Sequence, residues 1–241
     1  MKLQILTSTV KDGIMSANRI YFPTLTKEER TLLYDNTVNR FAQKIGLSKE
    51  NLIVVEDSGE KTTVGRANKT KLKMKNKIVL LKSTLKDFIV AVPTTDDPVL
   101  IANVPINDKE SITAIAKITI DNLNNNILHE IIEVLIKETN KAPFEMTFYI
   151  SACPFKENLK LNSEENILSN PIFKKAITKN KNQYYFDIRY AIFDQLVAEI
   201  VDPNYIYFSE IDTVTDKNFF SDIGKKSGKQ LVCVVYQDEE I

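Results

Sequence analysis

The sequence predicts a mixed α/β (α+β) fold, a single three-layer domain spanning residues 1–241 with a mixed central β-sheet and helices on both faces. Three observations predict it. Short β-branched apolar runs alternate with segments of helical periodicity. No Pro-, Gly- or Ser-rich linker and no internal repeat divides the chain. Apolar residues make up 43% and charged residues 27% of the sequence, as in ordinary globular proteins.

The first elements can be read from local patterns. Alternation over residues 2–10 predicts a strand. Thr26 and Glu29 form a capping-box pattern, which predicts the start of a helix, and Gly46 provides a left-handed stop for it. The β-branched run at 51–57 predicts a second strand, which closes on a turn.

The middle of the chain is rich in apolar strands. Residues 66–77 are basic and predict a solvated loop or edge hairpin, with a phosphate-binding patch as the alternative. Four strands are predicted at 77–81, 87–95, 99–106 and 112–120. Their nearly continuous apolar character indicates strands covered on both faces.

The second half returns to alternating helices and strands. Residues 127–139 carry a broad apolar stripe and predict a helix, with His129 expected at its surface or boundary. The polar segment 156–182 predicts a loop or excursion. The remaining expected elements are a strand within 144–155, a helix capped by Asp187 and ended before Pro203, and closing strands at 204–209 and 230–236.

Composition limits the function classes. Lys plus Arg equals Asp plus Glu at 32 each, so we expect no nucleic-acid partner. The N-terminus is too short and polar for a secretory signal, and no segment approaches the ~20 apolar residues of a membrane span. These features predict a cytoplasmic protein with no membrane partner. Cys153 and Cys233 are expected to be structural thiols, and a single histidine makes the chain poor in zinc ligands.

Several short motifs occur in an order typical of one family. Asn39-Arg40 lies in the first long helix, and Gly59 ends the turn Glu56-Asp57-Ser58-Gly59. Further motifs are Asp96-Asp97-Pro98-Val99-Leu100, the apolar strand with a polar end at 112–122, Phe186-Asp187-Ile188, Ala191, Gln195-Leu196, Asn218-Phe219-Phe220-Ser221 and Gly228-Lys229. From about residue 36 onward the chain thus resembles the laccase-domain (polyphenol oxidase-like, purine nucleoside phosphorylase) family.

The resemblance implies a three-layer α/β fold and a zinc or copper ion bound by His, Cys and His. It also implies phosphorolysis of adenosine, inosine and methylthioadenosine, with phosphate as co-substrate, and deamination of adenosine. Two imidazoles and one thiolate suit zinc, and an open fourth position lets the metal activate water or polarise a leaving group.

The metal-ligand positions have changed in this chain. By resemblance they correspond to Ser58, Asp96 and Ala116. A methyl group donates nothing, a serine hydroxyl is a poor zinc ligand, and one carboxylate makes a weak, hard site. The family's Trp-Arg-Gly and Arg-Arg motifs become Thr119-Ile120-Asp121 and Ile223-Gly224, which removes bidentate phosphate recognition. We therefore expect no bound metal and no other cofactor.

By resemblance, the pocket positions are Ser58, Gly59, Asp96, Asp97, Ala116 and Lys117. Lys117 could supply the charge of the lost metal, but strand alternation predicts that it faces away from Ala116. Thr94, Thr95, Asp96 and Asp97 form a polar corner that either binds a nucleoside or ion or is a hydrogen-bonded turn. The second interpretation is favoured because Asp and Thr are common in turns.

Three functions remain open from the sequence. One is a nucleoside phosphorylase or deaminase with altered ligands. Another is a non-catalytic descendant that binds a nucleotide, a cell-wall precursor or an unknown protein partner through the old pocket. The least favoured is an enzyme of different chemistry with Ser58 or Cys153 as nucleophile, because His129 is predicted on a remote helix and no general base is evident.

Overall fold

The computed structural model describes residues 2–55, 64–68, 73–75, 77–162 and 166–238. The helices are α1 (Lys27–Lys44), α2 (Ile120–Asn124), α3 (Ile127–Thr139) and α4 (Ile188–Ala198). The strands are β1 (Lys2–Thr7), β2 (Leu52–Val55), β3 (Val64–Arg66), β4 (Lys73–Met74), β5 (Ile78–Lys82), β6 (Ile89–Thr94), β7 (Val99–Pro105), β8 (Ser111–Lys117), β9 (Thr147–Ile150), β10 (Lys160–Leu161), β11 (Ile177–Asn180), β12 (Gln183–Phe186), β13 (Ile206–Phe208) and β14 (Gln230–Gln237).

The capping signals of the sequence are present in the structure. Thr26 Oγ1 accepts a hydrogen bond from Glu29 N at 3.2 Å, and Glu29 Oε2 accepts one from Thr26 N at 2.8 Å. Gly46 follows α1 with a φ of +75°, a conformation in which glycine carries no steric cost. Asp187 Oδ1 accepts from Tyr190 N at 2.9 Å and begins α4 as predicted.

The strands form two large sheets and one small sheet. The first sheet has the order β1-β14-β6-β2-β4, and the second has the order β13-β9-β7-β8-β5-β3. Both are mixed: β14 pairs antiparallel with β6 while β2 pairs parallel with it, and β13 pairs parallel with β9. The small sheet, β10-β12-β11, takes two of its strands from the polar segment 156–182.

The predicted α/β class with helices on both outer faces is confirmed. The layer between the helices consists of two stacked sheets. The two large sheets pack face to face through an apolar layer that includes Val90, Ile101 and Val232. Helix α1 covers the outer face of the first sheet through Val38 and Phe41. Helices α2, α3 and α4 cover the outer face of the second sheet. The layers therefore run helix, sheet, sheet, helix, where the sequence predicted one central sheet.

The packing of two sheets face to face explains why β7 and β8 are apolar along almost their whole length. Residues 99–102 on β7 and 112–116 on β8 are all buried, because one face meets helices and the other meets the opposite sheet. The consecutive strands β6 and β7 belong to different sheets, so the chain crosses between sheets at residues 95–98. None of the helices in the described residues combines the length and the apolar character that a membrane-spanning segment requires.

Candidate functional site

The polar corner lies where the chain crosses from β6 to β7 and meets the loop that precedes β14. Thr94 Oγ1 donates to the carbonyl oxygen of Asp97 at 2.5 Å. Thr95 Oγ1 donates to the carbonyl oxygen of Gly228 at 3.2 Å, and Gln230 Nε2 donates to the carbonyl oxygen of Thr95 at 2.7 Å. Both threonine hydroxyls are therefore used within the protein, which favours the turn interpretation of this corner.

Asp96 connects this turn to the loop at 209–229. Its Oδ1 accepts a hydrogen bond from Thr213 Oγ1 at 2.8 Å, and its Oδ2 accepts one from Ile223 N at 3.1 Å. Partial desolvation and the nearby charge of Asp96 raise the pKa of the Asp222 carboxyl, while the charge of Lys229 opposes that shift. Each oxygen of the Asp96 carboxylate thus already has a partner within the protein.

The same loop contains a second structural carboxylate, Asp212, which the sequence analysis missed. Its side chain is almost fully buried. Its oxygens accept from Phe155 N at 3.3 Å, Val214 N at 3.1 Å, Asn158 Nδ2 at 2.6 Å and Thr215 Oγ1 at 2.9 Å. The only local signal was an Asp followed by Thr three residues later, a pattern common to many turns.

A lysine and a glycine fix the rest of the loop. Lys226 Nζ donates to the carbonyl oxygens of Thr213 and Asp216 at 2.8 and 2.5 Å. Gly228 has a φ of +159°, and a Cβ added to it would lie 2.2 Å from a ring carbon of Phe220. Close approach of this buried ring explains why a residue without a side chain stands at position 228.

The end of β8 lies beside the corner. Ile118 N donates to the carbonyl oxygen of Pro98 at 2.8 Å, and Lys117 pairs with Val99 across the β7–β8 ladder. The structure therefore brings the segments around residues 96–98 and 116–118 together. Ala116 itself is 1% exposed and packs in the core beneath the helices. Ser58 and Gly59 lie within residues 56–63, outside the described residues.

The donor set of the described positions does not fit a His/Cys/His metal centre. Ala116 offers a methyl group, and Asp96 offers a single hard carboxylate in place of a thiolate. The single histidine lies on α3, where its Nδ1 is 3.0 Å from Oε1 of Glu199 on the turn after α4. Over the described ranges, no group of three His, Cys, Asp or Glu side chains is arranged to hold a metal ion.

The cysteines are not activated nucleophiles. Cys153 and Cys233 are both buried, and burial raises the pKa of each thiol to about 12. At Cys153 the positive charge of Arg189 opposes this effect, whereas nearby carboxylates add to it. A thiol with such a pKa carries almost no thiolate at neutral pH, which argues against the hypothesis of a nucleophilic Cys153.

Two cavities open beside the chain segments 149–157 and 207–211. One, of about 310 Å³, opens between strands β1 and β13 and reaches Ala152 and Ile211, the neighbours of Cys153 and Asp212. The other, of about 390 Å³, is lined by residues of the 155–157 segment and the start of α4. There the Arg189 guanidinium lies 4.8 Å from the ring centroid of Phe155 and 5.2 Å from that of Phe208. Both volumes are in the range that small ligands occupy.

Comparison with known proteins identifies relatives of this architecture. Residues 35–237 match the family model described as multi-copper polyphenol oxidoreductase laccase. The hypothetical protein YfiH of Bacillus licheniformis is similar with a TM-score of 0.71 and 14% identity, over 84% of this chain and 80% of that chain. YlmD of Geobacillus stearothermophilus gives 0.73 and 14%, over 85% and 80%. A Neisseria meningitidis protein gives 0.73 and 16%, over 98% and 95%. No curated protein sequence matches significantly.

Proposed function

Because the chain belongs to the multi-copper polyphenol oxidoreductase laccase family, we propose that it binds a purine nucleoside without the metal-dependent catalysis implied for its relatives. Adenosine, inosine and methylthioadenosine are the ligands that the resemblance implies. The observation that supports the loss of catalysis is the use of Asp96. Its carboxylate links the 95–98 turn to Thr213 and Ile223, so the position that corresponds to the family's Cys ligand holds a hard oxygen donor that fixes a loop.

The burial of Ala116 also argues against a bound metal. Ala116 is buried in the apolar core, so a metal beside it would gain no donor atom and would face methyl and methylene groups. A charged ion placed there loses hydration without compensation, which is unfavourable by several kcal/mol at least. Lys117 does not take over this role simply, because it is the next residue on the same strand and alternation directs it to the other face.

The competing function is phosphorolysis or deamination of the same nucleosides. It is favoured by the extent of the family match, which covers residues 35–237. Phosphorolysis needs phosphate recognition, for which bidentate arginines are well suited. The sequence has Ile223-Gly224 where the family has an arginine pair, and Ile223 instead donates its backbone N–H to Asp96.

One set of measurements separates the two functions. The purified protein is analysed for zinc and copper, incubated with adenosine or inosine and phosphate, and titrated with adenosine by calorimetry. We expect substoichiometric metal, no ribose 1-phosphate, free base or ammonia, and saturable binding of adenosine, with uridine as the control nucleoside. Stoichiometric metal together with turnover would establish the enzyme instead, and the absence of adenosine binding would also contradict the proposal.

A further inference from the structure

The cavity of about 310 Å³ lies at the open side of the two-sheet sandwich. β1 is the edge strand of the first sheet and β13 is the edge strand of the second. Ile5 and Thr7 of β1 line one wall, Tyr149 and Tyr207 line the other, and Phe219 also borders the space. This cavity, which we name the edge cleft, continues the apolar layer between the sheets to the surface.

Two stacked tyrosines form one wall of the edge cleft. Tyr149 on β9 and Tyr207 on β13 are directly paired in the parallel ladder. Their ring centroids are 5.2 Å apart and their planes differ by 18°. Tyr207 remains 47% exposed, and its other face has no aromatic stacking partner among the described residues. An exposed aromatic face beside a cavity is a surface on which a flat ring can continue the stack.

The remaining lining restricts the chemistry of a ligand. None of the described residues that line the edge cleft is charged. Ser151 Oγ already accepts from Val99 N at 2.8 Å, and Ser209 Oγ lies 3.3 Å from Ile211 N. The cleft therefore offers apolar and aromatic surface with few free polar groups. This surface suits a neutral flat ring and disfavours a phosphate or another anion.

We infer that the edge cleft binds a neutral, planar aromatic ring by stacking on Tyr207. The choice of a purine base as that ring rests on the proposed function, whereas the preference for a flat neutral ring rests on the geometry alone. A base in this cleft would lie close to Ala152 and Ile211.

The test compares Tyr207→Ala, Tyr207→Phe and Tyr205→Ala with the unaltered protein. Tyr205 is the matched control because it is 46% exposed, lies two residues before Tyr207 and does not line the cleft. Adenosine and 2-naphthol are titrated separately by calorimetry. Because base stacking contributes measurably on alanine substitution, we expect Tyr207→Ala to weaken adenosine binding about tenfold. Tyr207→Phe retains the ring and should stay within about twofold, as should Tyr205→Ala.

Each outcome bears on the inference. Adenosine binding that depends on Tyr207 supports both the edge cleft and the proposed function. Adenosine binding that Tyr207→Ala leaves unchanged overturns the edge cleft and leaves the proposed function standing. Tyr207-dependent binding of 2-naphthol without adenosine binding supports the cleft and contradicts the proposed function. If neither compound binds, the inference is overturned.

Discussion

Asp96→Ala tests whether this carboxylate holds the loop to the β6–β7 turn. The change removes the acceptors for Thr213 Oγ1 and Ile223 N. Hydrogen bonds to charged groups contribute about 1.5–3 kcal/mol each, and a buried donor without a partner costs about 1–3 kcal/mol. Thr213 is fully buried, whereas the hydrogen bond from Ile223 N is exposed and should contribute near the low end of the range for hydrogen bonds to charged groups. We expect a loss of about 2–4 kcal/mol in the free energy of unfolding.

The assay is urea unfolding followed by far-ultraviolet circular dichroism, with the slope of the transition checked for two-state behaviour. Asp108→Ala is the control, because Asp108 is an exposed carboxylate in the turn between β7 and β8, and its change should stay within about 0.5 kcal/mol. Asp96→Asn keeps one acceptor oxygen and should fall between the two. If Asp96→Ala is as stable as Asp108→Ala, the carboxylate does not connect these segments and a ligand-binding role for it regains support.

Three further changes test other features of the fold. Gly228→Ala places a Cβ 2.2 Å from the buried Phe220 ring, so we expect the free energy of unfolding to fall by about 2–3 kcal/mol. Thermal denaturation measures this change, and an unchanged Tm would contradict the close approach. Ile200 has a φ of +66° and is 72% exposed, so Ile200→Gly should relieve backbone strain and stabilise the protein by about 1 kcal/mol. A lower urea midpoint for that variant would refute this reasoning. The hydrogen bond to Glu199 raises the pKa of His129 above 6.5 in the folded protein. This partly exposed pair therefore stabilises the fold below about pH 6.5, and its contribution is lost as the pH rises through the pKa that His129 has in the folded state. His129→Gln should therefore lower stability by up to about 0.5 kcal/mol near pH 6 and change little near pH 8.5, as measured by urea unfolding at both values.

The elements that the sequence predicts well depend on neighbouring residues. Thr26 and Glu29 are three positions apart and determine the start of α1 by themselves. Asp187 caps α4 in the same local way. Such signals are complete within one helical turn, so they can be read without knowledge of the rest of the fold.

The features that the sequence does not predict depend on distant partners. Asp96 accepts hydrogen bonds from Thr213 and Ile223, which lie 117 and 127 positions further along the chain, and no spacing in the sequence predicts those pairs. The apolar runs of β6 and β7 look alike, yet one strand joins each sheet. A continuous apolar strand indicates cover on both faces, but it does not specify whether the cover is a helix or a second sheet. The stacking of Tyr149 on Tyr207 likewise appears only when β9 and β13 pair.

The pairing of β1 with β14 has a consequence for how the protein is made. Among the strands that the structure describes, β14 is the only sheet partner of β1, and Leu231 N donates to Ser8 Oγ, a residue 223 positions earlier in the chain. During synthesis β1 must wait for residues 230–237 before it gains its neighbour, and closing so long a loop slows folding. A nascent chain halted before that point would lack one wall of the edge cleft. Ligand binding in the edge cleft would therefore report that β14 has docked.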